Sequence, residues 1–227
     1  MALPGTGAII IWNDIAPEGR DEFYDWHLNE HIPERLSVPG FLRGSRYIAL
    51  SGDTKPEFLT LYITRDETIA TSAAYLERLN MPTPWTKSAT AHFRNTSRAL
   101  TRAIFSRGPG AGGVMGTLRF DGSDTGRAGA ALVGRHMQTM ERIAQMPRIS
   151  GAHACMTDVS ASGAKTAESR GRTDILAAPC GAVLIEGCDA PAIIDAMGEL
   201  QDSLQLSKAS MQIGTYRLEH TLSAAVS

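Results

Sequence analysis

Cysteine is scarce in this chain. Cys155, Cys180 and Cys188 are the only three in 227 residues, and no C-x-x-C pair is present. That excludes a disulfide framework and a zinc ribbon, and leaves three reduced, mostly buried thiols as the expectation. Charge of either sign is not in excess: 22 Lys and Arg against 24 Asp and Glu give a formal net charge of −2. No net field therefore draws the chain to a phosphate backbone or an anionic lipid surface, and nucleic acid is not an expected partner. Long hydrophobic runs are missing as well. The longest early one, Ala8 to Trp12, is far too short to span a bilayer, and the N-terminus lacks the basic flank and apolar stretch of a secretory signal. These absences set the expectation of a soluble, cytoplasmic protein that takes a small molecule rather than a membrane or a nucleic acid. What is present is ordinary globular material, 43% hydrophobic and 20% charged, enough for a substantial core in one large domain or two small ones.

The order of elements is written twice. Gly7 to Asn13 is a β-branched apolar run, a helix-favouring stretch follows from Glu18 to Leu36, and Pro39-Gly40 breaks the chain. Phe41 to Leu50 and Glu57 to Thr64 suit an antiparallel pair around the Ser51-Gly52-Asp53 turn; Asp66 can cap a helix over Thr68 to Leu79, and Ala91 to Phe105 follows as a long strand. Arg107 to Gly113, rich in glycine, reads as a flexible linker. Beyond it come a strand at Val114 to Phe120, a helix at Ala128 to Met146, strands at Ile149 to Thr157 and Ala182 to Gly187, a helix at Pro191 to Leu206 and a strand at Met211 to Thr221. An additional segment, Val159 to Thr173, reads as a mobile surface loop. The expected architecture is α+β: two tandem ferredoxin-like βαββαβ repeats, residues 1–108 and 112–227, packed sheet to sheet as an intramolecular dimeric α/β barrel. The pairing follows because each sheet has helices on one face only and must bury the other.

The segment from Trp26 to Leu36, then Pro39-Gly40-Phe41 and Arg46-Tyr47, resembles the helix-one and strand-two signature of the dimeric α+β barrel superfamily, nearest its EthD-like branch. The match covers about 30 residues, and beyond it the agreement is one of element order. The resemblance implies a pocket between the sheet and the helices of one unit. It also implies a choice among cofactor-free monooxygenases, cyclases, lactone isomerases, dehydratases and haem-binding members.

With Tyr24, Leu28, Ile32 and Leu36 as the apolar stripe of the first helix, His31 borders the core and His27 lies farther round. A register offset of 108 sets Trp26, His27, Glu30, His31 and Arg46 against Gly134, Arg135, Gln138, Thr139 and Ala154, so apart from Arg135 the ionisable set belongs to the first half. A group serving only the fold would be needed in both copies. His31, with His27, is therefore the candidate general acid or base, titrating near neutrality, with Glu30 or Asp14 to fix a tautomer and Arg46 to steady a developing anion. Asn13, Trp26, Glu30, Tyr47 and Trp85 are the candidate substrate-binding residues; of Arg46 and Tyr47, neighbours on one strand, only one can face the pocket. The bland alternative is that His31 is a satisfied core histidine. His92, His136, His153 and His220 read as ordinary packing or surface residues.

His27-x-x-Glu30-His31 also fits the H-x-x-E-H pattern of certain zinc peptidases, but no acid follows in a suitable second helix, and no metal or other cofactor is expected. The leading expectation is a cofactor-independent lyase, dehydratase, isomerase or cyclase moving a proton on a hydrophobic carbonyl or aromatic metabolite. The alternatives are a monooxygenase, cofactor-free or with haem on His31 or His27, and a non-catalytic carrier of a hydrophobic ligand. A homodimer is left open.

Overall fold

Antiparallel pairing runs without a break around the molecule. A computed structural model describes residues 3–120, 136–204 and 211–225. Those residues contain eight strands: β1 (Gly7–Ile15), β2 (Phe41–Ala49), β3 (Phe58–Thr64), β4 (Phe93–Arg107), β5 (Val114–Phe120), β6 (Ile149–Thr157), β7 (Gly181–Gly187) and β8 (Met211–Ser223). They close into a barrel in the order β1-β3-β2-β8-β5-β7-β6-β4, with β4 returning to β1. The four strands of the first half lie together as β4-β1-β3-β2 and those of the second as β8-β5-β7-β6, the same relative order. The seams between halves are β2 with β8 and β4 with β6.

Alternation along the strands decides what each face buries. Ile10, Trp12, Tyr47, Leu59, Leu61, Ala99, Met115, Cys155, Leu184 and Tyr216 fill the barrel interior, so that all eight strands share one core. The outward faces are covered by helices. On the second half these are α5 (His136–Ile143) and α7 (Ala190–Leu204), whose Met140, Ile143, Ile193 and Leu200 pack on Leu118, Val183 and Ile185. On the first half the cover begins with a 3-10 turn (Pro17–Gly19), α1 (Arg20–Trp26), a π-helical turn (His27–His31) and α2 (Ile32–Leu36). It continues with a second 3-10 turn (Glu67–Thr71), α3 (Ala73–Asn80) and α4 (Pro84–Thr90). No helix among the described residues is long and apolar enough to cross a membrane.

Five expectations from the sequence are corrected by the fold. The expected single helix over Glu18 to Leu36 is a continuous helical path broken by a π turn. Pro33 has no N–H to give the Asn29 carbonyl and its ring crowds that carbonyl, so a wider turn just before it is the local solution. The helix expected over Thr68 to Leu79 splits into a 3-10 turn and α3. The stretch between that helix and the strand expected from Ala91, where Pro82 and Pro84 break the pattern, holds α4, capped by Thr83 Oγ1 accepting from the Thr86 amide, and the strand starts at Phe93. The glycine-rich linker is docked: the Gly110 amide donates to the Ser150 carbonyl at 3.1 Å and the Gly112 amide to Glu186 Oε2 at 2.9 Å. The extra segment is docked as well. After α6 (Val159–Ser162) it crosses onto the first half as a strap, with Ala167 and Glu168 amides bonded to Asn80 and Leu79, Asp174 accepting from Thr96 Oγ1 at 2.6 Å, and Glu168 paired with Arg35. The helix expected from Ala128 is described only from His136, and Asp121, Gly134 and Arg135 lie outside the described residues.

One end of the barrel interior is polar. His153, from β6, stands between Ser106 Oγ (2.9 Å from Nδ1) and Glu186 Oε1 (3.4 Å from Nε2), with the Arg43 guanidinium 3.8 Å from the same carboxylate. The Leu3 amide donates to Ser106 Oγ. Both halves and the linker thus meet on one buried carboxylate, which is 1% exposed, and the N-terminal segment joins them through Ser106 and His153. Removing one member of such a group leaves the others desolvated and unpaired. Glu186→Ala is expected to lower unfolding free energy by about 3 kcal/mol, measured by urea denaturation.

Candidate active site

The buried face of the first helical path is Phe23, Trp26, His27, His31, Ile32 and Arg35, one step round from the stripe expected; Leu28 is 43% exposed, and Tyr24 and Leu36 are half-buried. The π turn changes the angular advance between residues 27 and 31, and that rotates both histidines onto the sheet. Beneath them, cross-strand register sets His220, Arg46, Thr60 and Ile11 in one row and Leu222, Gly44, Tyr62 and Ile9 in the next. His27 stands over the first row, with Nε2 3.4 Å from Thr60 Oγ1. His31 faces the second, its ring 6.3 Å from that of Tyr62. The two imidazoles stack at 5.4 Å, and the Trp26 indole covers His31 at 4.2 Å.

Gly44 allows this depth. A Cβ there would lie 2.9 Å from the Tyr62 ring and 3.1 Å from Ile32 Cγ2, so any side chain would lift α2 off β2.

Arg46 projects to the same side of β2. Its Nε donates to Glu219 Oε2 at 3.2 Å, and its guanidinium lies 4.6 Å over the Tyr24 ring. Glu219 reaches it because β8 bulges: Arg46 opposes His220 while Tyr47 opposes Leu218, leaving Glu219 as the extra residue. Tyr24 Oη completes the contact, donating to Glu219 Oε1 at 3.4 Å.

Burial decides the charge state. Desolvation lowers both His27 and His31 well below the ordinary imidazole value of 6.5; the nearby Arg46, His220 and Arg35 charges add to it at His27, and Arg35 and His27 at His31. Both rings are neutral at physiological pH, which corrects the expectation of titration near neutrality. Burial likewise raises the Tyr62 phenol, which stays a protonated donor. Five buried polar atoms of this cluster have no hydrogen-bond partner among the described residues: His27 Nδ1, His31 Nδ1, Tyr62 Oη, Arg46 Nη1 and His220 Nε2. Buried polar groups in folded proteins are rarely left so, and a concentration of them marks a place built for something else.

Other residues singled out from the sequence are placed elsewhere. Asp14 accepts from the Glu57 amide at 2.7 Å and Asn95 Nδ2 at 2.8 Å, and bonds neither histidine. Glu30 Oε1 accepts from Thr83 Oγ1 at 2.6 Å and Thr86 Oγ1 at 3.1 Å, and Trp26 Nε1 donates to the same Thr86 hydroxyl. Glu30 therefore fastens α4 to the π turn instead of fixing a tautomer. Among the described residues no three His, Cys, Asp or Glu are grouped to hold a metal ion. Tyr47 points into the barrel interior, away from Arg46. Asn13 is buried opposite Phe58, bonded to the Asp14 carbonyl, and Trp85 packs against the aromatic cluster of Phe23, Trp26, Phe58 and Phe93. Tyr62, Thr60 and Glu219 carry no mark in the sequence, and His220, which reads there as an ordinary packing or surface residue, belongs to this cluster. Alternation within Phe58 to Thr64 puts Thr60 and Tyr62 on one face, which was legible; that β8 of the other half borders β2 was not.

The depressed imidazoles tie stability to pH. Between the unfolded value near 6.5 and their lower folded values, the unfolded chain binds more protons, so stability is full above about 6.5 and is lost as pH falls through that window. Urea unfolding across this range should show the loss, up to about 1.4 kcal/mol per pH unit for each histidine, and His27→Phe or His31→Phe should flatten the slope.

No family model matches the chain, and no curated protein matches it in sequence. Its backbone is similar to an anthrone oxidase-like protein at a TM-score of 0.58, with 12% identity over 97% of this chain and 93% of that one. It is similar at 0.54 to a monooxygenase candidate from Fusobacterium nucleatum subsp. nucleatum, with 7% identity over 97% and 96% of the two chains. Another, from Lactobacillus acidophilus, also scores 0.54, with 10% identity over 96% and 97%. These solved structures are dimeric α+β barrel proteins, and what this chain shares with them is that fold.

Proposed function

We propose that the chain is a cofactor-independent enzyme that takes a proton from a small hydrophobic carbonyl or aromatic compound, with His31 as general base. The observation that carries this reading is the set of five unpartnered buried polar atoms around two stacked, neutral imidazoles. A neutral imidazole is the form that accepts a proton, and desolvation keeps it in that form. The proton passes from an activated C–H or O–H of the substrate to the imidazole. The electron pair left behind delocalises onto the substrate oxygen, where Arg46 Nη1 and the Tyr62 hydroxyl are the donors without other partners. His27, stacked under His31 and bonded to Thr60, positions the base, and Trp26 and Phe23 form apolar walls. The anion then expels a group, rearranges or is reprotonated, giving a lyase, dehydratase, isomerase or cyclase.

A second reading shares the first step: the anion reacts with dioxygen, as a cofactor-free monooxygenase. The names of the structurally similar proteins favour it. Haem on His27 is a poorer fit, since that ring is 2% exposed and its Nε2 is 3.4 Å from Thr60 Oγ1. The reading includes the division into two ferredoxin-like units, 1–108 and 112–227, which the repeated strand order supports, and the EthD-like affinity of the Trp26 to Tyr47 segment.

Anthrone and an aryl 1,3-diketone are suitable probes. In deuterated buffer the protein should accelerate deuterium incorporation at their activated carbon. The rate should be flat across neutrality, fall only below the ordinary imidazole value, and persist after chelation. His31→Ala is expected to lower it by about 10²- to 10⁴-fold and His27→Ala by less. An unchanged rate in His31→Ala would remove the base assignment. Oxygen uptake in parallel separates the two readings, and binding of a probe without exchange or uptake would identify a carrier.

A further inference from the structure

A cleft of about 810 Å³ lies between α4, the start of β4 and strap residues 167–174, and its lining is rich in cations. Lys87, Arg94 and Arg170 face it from three elements, and none of them forms an ion pair among the described residues; Arg94 donates only to the Ala91 and Phe93 carbonyls. The two acids in the lining are already neutralised. Glu168 pairs with Arg35, and Asp174 is held by Arg172 through Nε at 3.0 Å and Nη2 at 2.7 Å, with Thr96 Oγ1 as a further donor. Elsewhere on the surface Arg20, Arg107, Arg142 and Arg148 each meet a carboxylate. Arg78 and Arg102 are likewise exposed and form no ion pair among the described residues; what sets Lys87, Arg94 and Arg170 apart is that the three share one concavity.

The cleft is also built, not a gap between loose segments. Amides of Ala167 and Glu168 bond Asn80 and Leu79, and the Leu176 amide bonds the Thr96 carbonyl, fixing the strap against the first half. Arg172, locked by Asp174, lies 5.1 Å over the Phe93 ring and gives the cleft a flat wall. Its volume falls in the range of small-ligand sites. Concave, uncompensated positive charge focuses a field, and guanidinium forks match planar or tetrahedral oxyanions through charge-assisted hydrogen bonds.

We infer that this cleft is an oxyanion site for a small organic molecule bearing a carboxylate or a phosphate, held by Lys87, Arg94 and Arg170. The inference goes beyond the catalytic reading and stands without it.

Calorimetric titration at low ionic strength with inorganic phosphate and with benzoate tests it, on the wild-type chain and on the Lys87→Ser/Arg94→Ser/Arg170→Ser variant. All three side chains are exposed, so the variant should melt with the wild type. At least one probe should bind one to one, weaken by about tenfold or more in the variant, and weaken with added salt. Arg142→Ser, on α5, should bind as the wild type does, and so should His31→Ala, which keeps this outcome separate from the fate of the base assignment. Phosphate binding alone identifies a phosphorylated ligand, and benzoate binding alone a carboxylated one. Binding of neither probe, or equal binding by the triple variant, overturns the proposal.

Discussion

Backbone hydrogen bonds along two seams, β2 with β8 and β4 with β6, join the halves of the barrel. A four-stranded sheet with helices on one side presents an apolar second face and two unpaired edges, and each is a liability in water. Closing two such sheets on each other removes both. The interior then fills with side chains from all eight strands, and the helices stay outside, where they are free to differ between halves. The second half uses that freedom for apolar packing by α5 and α7. The first half uses it to bury two histidines and two arginines.

That burial is costly, and the local chain shows how it is held. The π turn commits both imidazoles to the sheet, Gly44 lets α2 descend far enough to cover them, and Glu30 and Trp26 fasten α4 over the top through Thr86. Arg35, 2% exposed, is tolerated because Glu34 and Glu168 meet it, the latter from the other half of the chain. Arg46 is matched by Glu219, again from the other half. Neither arginine has a full set of partners within its own half of the chain. The strap and the β8 bulge are therefore structural requirements of the site as well as features of the second half.

The element order, the turn at Pro39-Gly40 and the alternating faces of β2 and β3 were readable because each rests on local chemistry: breaker residues, caps and period-two patterns. His27, His31 and Arg46 were readable as a set confined to one half. The phase of the first helix was not, since a wheel with a fixed angle per residue cannot represent a π turn, and the apolar Leu28 pulled the stripe one step away from His27 and His31. Glu30 and Asp14 were plausible partners in sequence only because proximity along the chain was the available measure; each satisfies a structural amide or hydroxyl instead. The strap read as a loop because its composition is polar, yet its polar groups are what dock it. Glu219 and His220 depend on which strand of one half borders which strand of the other, and no local pattern encodes that.

The position of β8 between β2 and β5 makes early and late stretches of the chain neighbours in space. During synthesis β2 emerges long before the strand that will cover it, and Arg46 waits for Glu219 across a separation of 173 residues. A nascent first half carries a free sheet edge and half of a polar cluster for that entire interval. Such long-range closure is slow and exposes sticky intermediates, so the interval of greatest exposure during folding is set by this seam and not by the composition of either half.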